Sequence, residues 1–380
     1  MAGITDYVLR SLVRKYSPEC LLTTEMISSE FLAQNVETEI TKLDENHHPI
    51  VYQICGHKPH LMKAAATYLT QFADMIDINM GCPVNKVVKG QDGSALMRNP
   101  RLAMELVQAV KEGTNKPVSV KFRLGYTASE MNYVEFGQQM QEAGAEFITI
   151  HARTRSQFYA GHADWAKIKE LKHNVDIPVF SNGDVTSIDS AIECLELSEA
   201  DGVAIGRGVL GDPTLIHRVA HYFATGEKLP EPTLEEKLEM MRVHLDEEIK
   251  LRGEEIAIKF FRKFYPYYIA GIRNASKIRG VLVLEEDYHK ILEYIDYIKK
   301  ENAWNLWKNC YNSTYESISY ITCNTIYIWN NTPTSSSRRV INYSTWNEGL
   351  RRNYTSCRNI YTCNKFARNF NWNLSRRLQS

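Results

Sequence analysis

A TIM-type (β/α)8 barrel followed by a small all-helical domain is the α/β architecture that three features of the sequence predict. Short apolar runs alternate with longer amphipathic ones at the spacing of parallel βα units. Polar and glycine-bearing residues recur just past the apolar runs, where a barrel carries its reactive groups. From about residue 233 the alternation gives way to helical periodicity alone. An open doubly wound sheet is the alternative, and the polar strand ends favour the barrel.

The elements follow in order. "MAGITDYVLRSLV" opens the chain as a loop entering a helix. Strands are expected at Leu21–Met26, Ile50–Cys55, Met75–Met80, Val118–Arg123, Phe147–Ala152, Pro178–Gly183 and Gly202–Arg207. Between them, "KPHLMKAAATYLTQFA" (58–73) has proline near its start and alanines within. "PRLAMELVQAVKEG" (100–113) has proline in its first turn and glycine at its end, the usual start and stop signals. Further helices are expected near 129–143, 165–173, 187–197 and 213–224. This makes seven strands where a closed barrel has eight, so the first strand is expected to be missing ahead of Met1. "TLEEKLEMMRVHLDEEIKLRG", "EEIAIKFFRKFYPYYIAGI" and "DYHKILEYIDYIKKE" all have helical spacing. The expected division is a barrel over 1–232, a helical domain over 233–303 and a tail over 304–380.

With 44% hydrophobic and 24% charged residues, the composition is that of an ordinary soluble globular protein. No apolar run reaches the ~18 residues of a membrane span. No charged and apolar leader pattern opens the chain. A cytoplasmic protein with no membrane association is expected, and nothing calls for an obligate protein partner. Eight irregularly spaced cysteines do not form a disulfide framework. The zero net charge hides a split. Residues 1–303 hold 35 Lys+Arg against 43 Asp+Glu, and 304–380 hold 10 against 2. Five of six tryptophans lie in that basic, Asn- and Tyr-rich tail. It shows no lasting period, and it reads as disordered or frameshift-derived rather than as a nucleic-acid-binding module. Its cysteines lack the paired spacing of zinc sites.

The strand ends supply the candidate site. In order they carry Glu25, Gln53, Asn79 with Cys82, Lys121 with Arg123, His151 with Arg153 and Arg155, Asn182-Gly183-Asp184, and Gly206-Arg207-Gly208. Any one of these reads as a capped turn or a surface ion pair. Their convergence on one rim makes a site. "SNGDV" and "AIGRGVLGDP" are glycine-bearing turns before helices, where backbone N–H groups bind phosphate. The G-x-G-x-x-G of residues 206–211 comes too late in the chain for a Rossmann fingerprint. Lys121 could sit beside a flavin ring and stabilise charge at its N1–C2 edge. Cys82 lies in "MGCPV", on a rim loop. An ordinary thiol, with pKa near ~8.5, is mostly protonated at neutral pH and can act as a general acid. The alternative is a nucleophile with His151 as its base.

The motifs "MAGITD", "TTEM", "QICG", "DINMGCPVNKVVKGQDGSALM", "VSVKFRLG", "ITIHARTRSQFYAGHADW", "FSNGDV" and "DGVAIGRGVLGDP" resemble the tRNA-dihydrouridine synthase family in its bacterial B-type branch. "KFFRKFYPYYIAGIRNASKIRG" is similar to that family's helical tRNA-binding domain, so the resemblance spans about residues 1–300. It implies a TIM barrel holding FMN, with NADPH (or NADH) as reductant and tRNA as substrate. Met1, Ala2, Gln53, Lys121, His151, Asn182, Gly183, Asp184, Gly206 and Arg207 would contact the flavin. Asn79 would hold the target uracil. The flavin N5 would pass hydride to C6 of a uridine, and Cys82 would protonate C5. The family's usual strand ending in Ala-Pro before Met-Ala-Gly is absent here, and the family pattern ends near residue 300.

The acidic body is unusual for a tRNA partner, but local clusters can override it. Lys259, Arg262, Lys263, Arg273, Lys277 and Arg279 lie close together among aromatics and are expected to meet phosphate. Lys86, Lys89, Arg123, Arg153 and Arg155 would continue that track to the substrate. Two other functions compete: a flavin-dependent dehydrogenase of free pyrimidines (dihydroorotate or dihydropyrimidine type), and a non-catalytic RNA-binding protein.

Overall fold

The structure, a computed structural model, describes residues 1–34 and 47–301. The 304–380 tail therefore lies outside the described residues. Strands β1 (Leu22–Thr23), β2 (Ile27–Ser28), β3 (Ile50–Cys55), β4 (Met75–Asn79), β5 (Val118–Arg123), β6 (Phe147–His151), β7 (Val179–Asn182) and β8 (Gly202–Ala204) form one sheet. Every pairing is parallel, in the order β1, β3, β4, β5, β6, β7, β8, with β2 also pairing β3. The result is a TIM-barrel-like sheet that, among the described residues, does not close between β1 and β8.

The single strand expected over Leu21–Met26 is two short ones. Leu22 and Thr23 pair with Ile50 and Val51, whereas Ile27 and Ser28 pair with Ile54 and Cys55. Three residues thus face two, which is a β-bulge. Thr24 fills the gap. Its N–H donates to the Val51 carbonyl at 2.9 Å, and its Oγ1 accepts the Gln53 N–H at 3.1 Å.

The remaining strands match their expected places because alternate residues are apolar. Ile50, Tyr52, Ile54, Ile76, Ile78, Val118, Val120, Phe122, Ile148 and Ile150 share a buried cluster with residues of helices α3 (Pro59–Leu69), α5 (Pro100–Gly113) and α6 (Tyr133–Glu142). Strand alternation turns the intervening residues to the other face. That face carries Gln53, Asp77, Asn79, Ser119, Lys121, Arg123, Thr149 and His151. Most TIM barrels fill this space with branched apolar side chains. A polar interior is the first structural sign of a ligand.

Helix α1 (Tyr7–Tyr16) begins where Asp6 caps it, accepting the Leu9 N–H at 3.0 Å. Asn99 caps α5 in the same way, ahead of Pro100. Helices α7 (Ala166–Lys172), α8 (Ile188–Ser198) and α9 (Leu215–Thr225) follow their strands. Short α2 (Ser29–Leu32) and α4 (Asn85–Lys89) sit in loops. A capping box, Thr233 with Glu236, starts α10 (Leu234–Arg252). The helical stretch expected over 254–272 divides into α11 (Glu254–Phe261) and α12 (Tyr265–Tyr268). Pro266 has no N–H to continue the ladder, so the helix stops and restarts around it. The aromatics here are core, as Phe261, Phe264, Tyr265 and Tyr268 are all buried. After α13 (Ala275–Leu282), residues 288–301 are helical. Met1–Ile295 makes one compact unit, and 296–301 are the described part of a second.

Candidate active site

A hydrogen-bonded polar chain crosses the inner face. Ser119 Oγ donates to Asp77 Oδ1 at 2.7 Å, and Gln53 Nε2 donates to Asp77 Oδ2 at 2.7 Å. Gln53 Oε1 accepts from Asn79 Nδ2 at 2.8 Å. Asn79 Oδ1 in turn accepts the N–H groups of Gly81 at 3.2 Å and Cys82 at 2.9 Å. Burial pushes the Asp77 carboxyl up, with the Ser119 and Gln53 hydrogen bonds opposing. The chain anchors the loop that carries the thiol. Ser94 completes the anchor, since its N–H and its hydroxyl both donate to the Cys82 carbonyl, at 3.1 and 2.9 Å. Gly93, at φ +60°, is needed there. A Cβ on it would lie 2.9 Å from both the Cys82 Cβ and its carbonyl oxygen.

Register sets Asn79 beside Lys121 and sets Arg123, His151 and Asn182 in one row. Lys121 Nζ donates to Asn182 Oδ1 at 3.1 Å, and Asn182 Nδ2 donates to the Ala204 carbonyl at 2.7 Å. Burial, helped by the nearby Arg123 charge, pulls Lys121 down to about 8; Asp77 and Cys82 pull the other way. His151 is buried, and that burial, with Lys121, Arg123, Arg153 and Arg207 around it, drives its pKa far below the ordinary range. It is a neutral imidazole. No hydrogen bond joins it to Cys82 among the described residues, so nothing in the geometry favours the nucleophile–base pairing.

The two glycine turns meet. A Cβ on Gly208 would lie 2.3 Å from the Val185 carbonyl, so the turn after β8 packs directly on the turn after β7. Asp184, at φ +56°, ties them together. It accepts Arg153 through both oxygens, at 2.9 and 2.6 Å, and Arg207 at 3.3 Å. Burial raises its pKa, but Arg153, the Ala163 N–H and Arg207 more than offset this and hold it low. Gly206 borders open space, with only the Met1 Sδ, 3.7 Å away, near its absent Cβ. Met1 and Ala2 lie on the loop that enters this rim, and burial lowers the Met1 amine to about 6.

Two of the cations expected at the substrate, Arg123 and Arg153, are buried and already bonded within the chain. Arg123 donates to the carbonyls of Gly81, Thr154 and Phe158, at 2.8 to 3.0 Å. Arg153 is 1% exposed and binds Asp184 and the carbonyls of Ala160 and Gly161. A guanidinium has five N–H donors in a fixed fork; backbone carbonyls take three bonds from Arg123, and backbone and Asp184 share those of Arg153. Both residues hold loops. Arg155 does reach the surface, lying over the Tyr126 and Phe158 rings and donating to Asn85 Oδ1 at 2.5 Å. Of the helical cations, Lys259 pairs with Glu255 and Arg262 with Glu286. Arg273, Lys277 and Arg279 are exposed, with no ion pair among the described residues.

Three residues were not singled out from the sequence. Asp77 and Ser119 were legible, because "MIDIN" and "VSVKFR" alternate polar with apolar. Tyr159 was not. Its half-exposed ring has the Arg207 guanidinium at 4.7 Å, Arg123 at 5.7 Å and His151 at 6.1 Å, a set no local pattern signals. Among the described residues no group of His, Cys, Asp or Glu is placed to hold a metal, and no helix is long and apolar enough to cross a membrane.

Comparison with known proteins agrees with this geometry. Residues 1–302 match the family model described as dihydrouridine synthase (Dus). The chain is 41% identical over 284 residues to a probable tRNA-dihydrouridine synthase 1 of Synechocystis sp., covering 74% of this chain and 80% of that protein. It is 36% identical over 291 residues to a probable tRNA-dihydrouridine synthase of Rickettsia bellii, covering 76% and 89%. With tRNA-dihydrouridine synthase B of Shewanella oneidensis the identity is 37% over 272 residues, covering 71% and 84%. A thiol loop beside a half-buried lysine, on a polar barrel interior, thus belongs to a chain that is a member of the dihydrouridine synthase family.

Proposed function

We propose that the chain is a flavin-dependent oxidoreductase that reduces uridine in tRNA to 5,6-dihydrouridine, with NADPH or NADH as electron source, acting in the cytoplasm. The observation that carries this reading is the juxtaposition of Cys82 and Lys121. One is held by Asn79 on a rim loop, and the other lies on the neighbouring strand with its ammonium desolvated.

The residues fit FMN. Lys121 offers a cation for the N1–C2 edge of the ring. The open side of Gly206, with Arg207 and the Gly183-Asp184 turn, offers backbone and guanidinium donors to a phosphate. Met1, Ala2, Gln53, His151 and Asn182 would complete the walls. When bound, FMN supplies the hydride that reduces C6 of the uracil. Cys82 donates the proton to C5 from its thiol and recovers one from solvent, so uridine gains one hydride and one proton. Asn79 keeps one amide hydrogen for the base, since its other contacts lie within the chain. A uridine in folded tRNA must leave its stack to reach the rim. Arg155, and Arg273 and Lys277 of a helical tRNA-binding region from 233 onward, would hold the backbone.

The test is Cys82→Ala. The variant should bind FMN and bleach with NADPH as the parent does, yet form dihydrouridine on tRNA roughly 100-fold more slowly or worse. Unimpaired turnover would remove Cys82 from the mechanism. A parent protein that reduces free pyrimidines but not tRNA would identify the dehydrogenase alternative. Reversing charge at Arg273 and Lys277 separates the two as well, because only a tRNA enzyme should then lose affinity.

A further inference from the structure

One peptide near the start of the chain is gripped from both sides. The Gly3 N–H donates to Glu25 Oε1, and the Gly3 carbonyl accepts from Lys263 Nζ. Gly3 has φ +68°, so it takes a turn that other residues resist. Three residues later Asp6, the cap of α1, accepts Arg252 at 2.9 Å. The Phe260 ring lies under both cations, 4.1 Å from the Arg252 guanidinium and 3.1 Å from the Lys263 ammonium. Arg252 also donates to the fully buried Glu248 at 2.7 Å. The end of α10, α11 and the turn after it, which carries Lys263, therefore form a platform that fixes residues 3 and 6. The loop so fixed runs into the rim, where Met1 borders the open side of Gly206.

Building on the flavin reading above, we infer that Lys263 is a positioning residue for the flavin site and not a contact for RNA: it sets the Met1–Gly3 loop against the ring pocket through the Gly3 carbonyl. The sequence places it in a basic cluster with Lys259 and Arg262, and there all the cations look alike. The structure separates them, because the Lys263 ammonium is directed at its own chain's backbone and stacked on Phe260.

The experiment measures two quantities on the full chain. One is the rate at which the holoprotein releases FMN on dilution, followed by recovery of flavin fluorescence. The other is tRNA affinity as a function of salt. Lys263→Met should release FMN about tenfold faster while leaving the tRNA affinity and its salt slope unchanged. Lys263→Arg, which keeps a cation over Phe260, should restore most of the retention. Glu25→Ala removes the acceptor of the Gly3 N–H, loosens the same peptide from the other side and should also speed release, which keeps the test alive if Lys263→Met does not fold. Unchanged FMN release in Lys263→Met, or in Glu25→Ala where the first is unfolded, overturns the inference. A salt slope smaller by about one identifies Lys263 as a phosphate contact instead. A parent protein that retains no FMN overturns this inference and the flavin reading together, so the two failures are distinct.

Discussion

The side-chain oxygen of Asn79 accepts the backbone N–H of Cys82 at 2.9 Å. The last residue of β4 thus fixes where the thiol loop leaves the strand. The same Asn79 is tied through Gln53 to the buried Asp77. Replacing Asn79 by Ala should free the loop without emptying the core. A displacement of about 1 Å can cost roughly 100-fold in rate, so turnover on tRNA should fall by about 10- to 100-fold. FMN content and bleaching by NADPH should persist. Stopped-flow reduction of the flavin, set against dihydrouridine yield, separates the two half-reactions. Equal loss in both would mean that Asn79 acts on the flavin and not on the loop.

Lys121 should give flavin binding a pH dependence. Burial first, and Arg123 second, lower its pKa to about 8 in the ligand-free protein. If binding selects the cation, FMN affinity is full below that value. It then weakens roughly tenfold per pH unit above it, as the charged fraction falls. Titrations from pH 7 to pH 9.5 check this. Lys121→Met should bind more weakly at neutral pH and lose the slope. A slope that survives the substitution belongs to another group.

Asp184 should matter for stability more than its partly exposed position implies. Its oxygens neutralise Arg153, which is buried. Asp184→Asn leaves that guanidinium without a charge partner, at a cost of roughly 2–4 kcal/mol. Urea denaturation measures it. Arg153→Met in the same chain should recover part of the loss, and a double-mutant cycle gives the coupling. Strict additivity of the two single changes would show that the pair does not act as a pair. Because its pKa is held low, the contribution of Asp184 is present above the ordinary carboxylate range and is lost as pH falls through its depressed value.

His244 should make folding acid-sensitive at mild pH. It is fully buried, donates to or accepts from the Tyr268 hydroxyl at 3.0 Å, and packs on Phe261 and Phe264. Burial chiefly lowers its pKa to about 4, with Asp6 opposing and Lys263 assisting. The unfolded chain takes up a proton near pH ~6.5 and the folded one does not until about pH 4. Between those values stability falls as pH falls, by at most about 1.4 kcal/mol per unit. Denaturation midpoints for the parent and His244→Phe from pH 7 to pH 4 test the sign. The variant should be the flatter of the two. Matching slopes would place the acid sensitivity elsewhere.

The sequence by itself determined the parallel βα order, the positions of six of the seven expected strands and the start of α5. Each depends on local rules: two-residue alternation, proline at a first turn, and glycine at an end. It also determined that Cys82, Lys121, Asn182 and Gly206 share a rim, because strand ends in a parallel sheet all point one way. Only the tertiary structure decided which polar residues remain available to a ligand. Arg123, Arg153 and Lys263 are cations by composition, but each is directed at backbone or carboxylate of its own chain. The bulge at Thr24 was hidden for the same reason, since it exists only as a mismatch in register between two strands. A residue's hydrogen-bonding capacity is fixed by its type. The partner that takes it up is fixed by which distant segments the fold brings within about 3 Å, and that distance is not written in any local stretch of the chain.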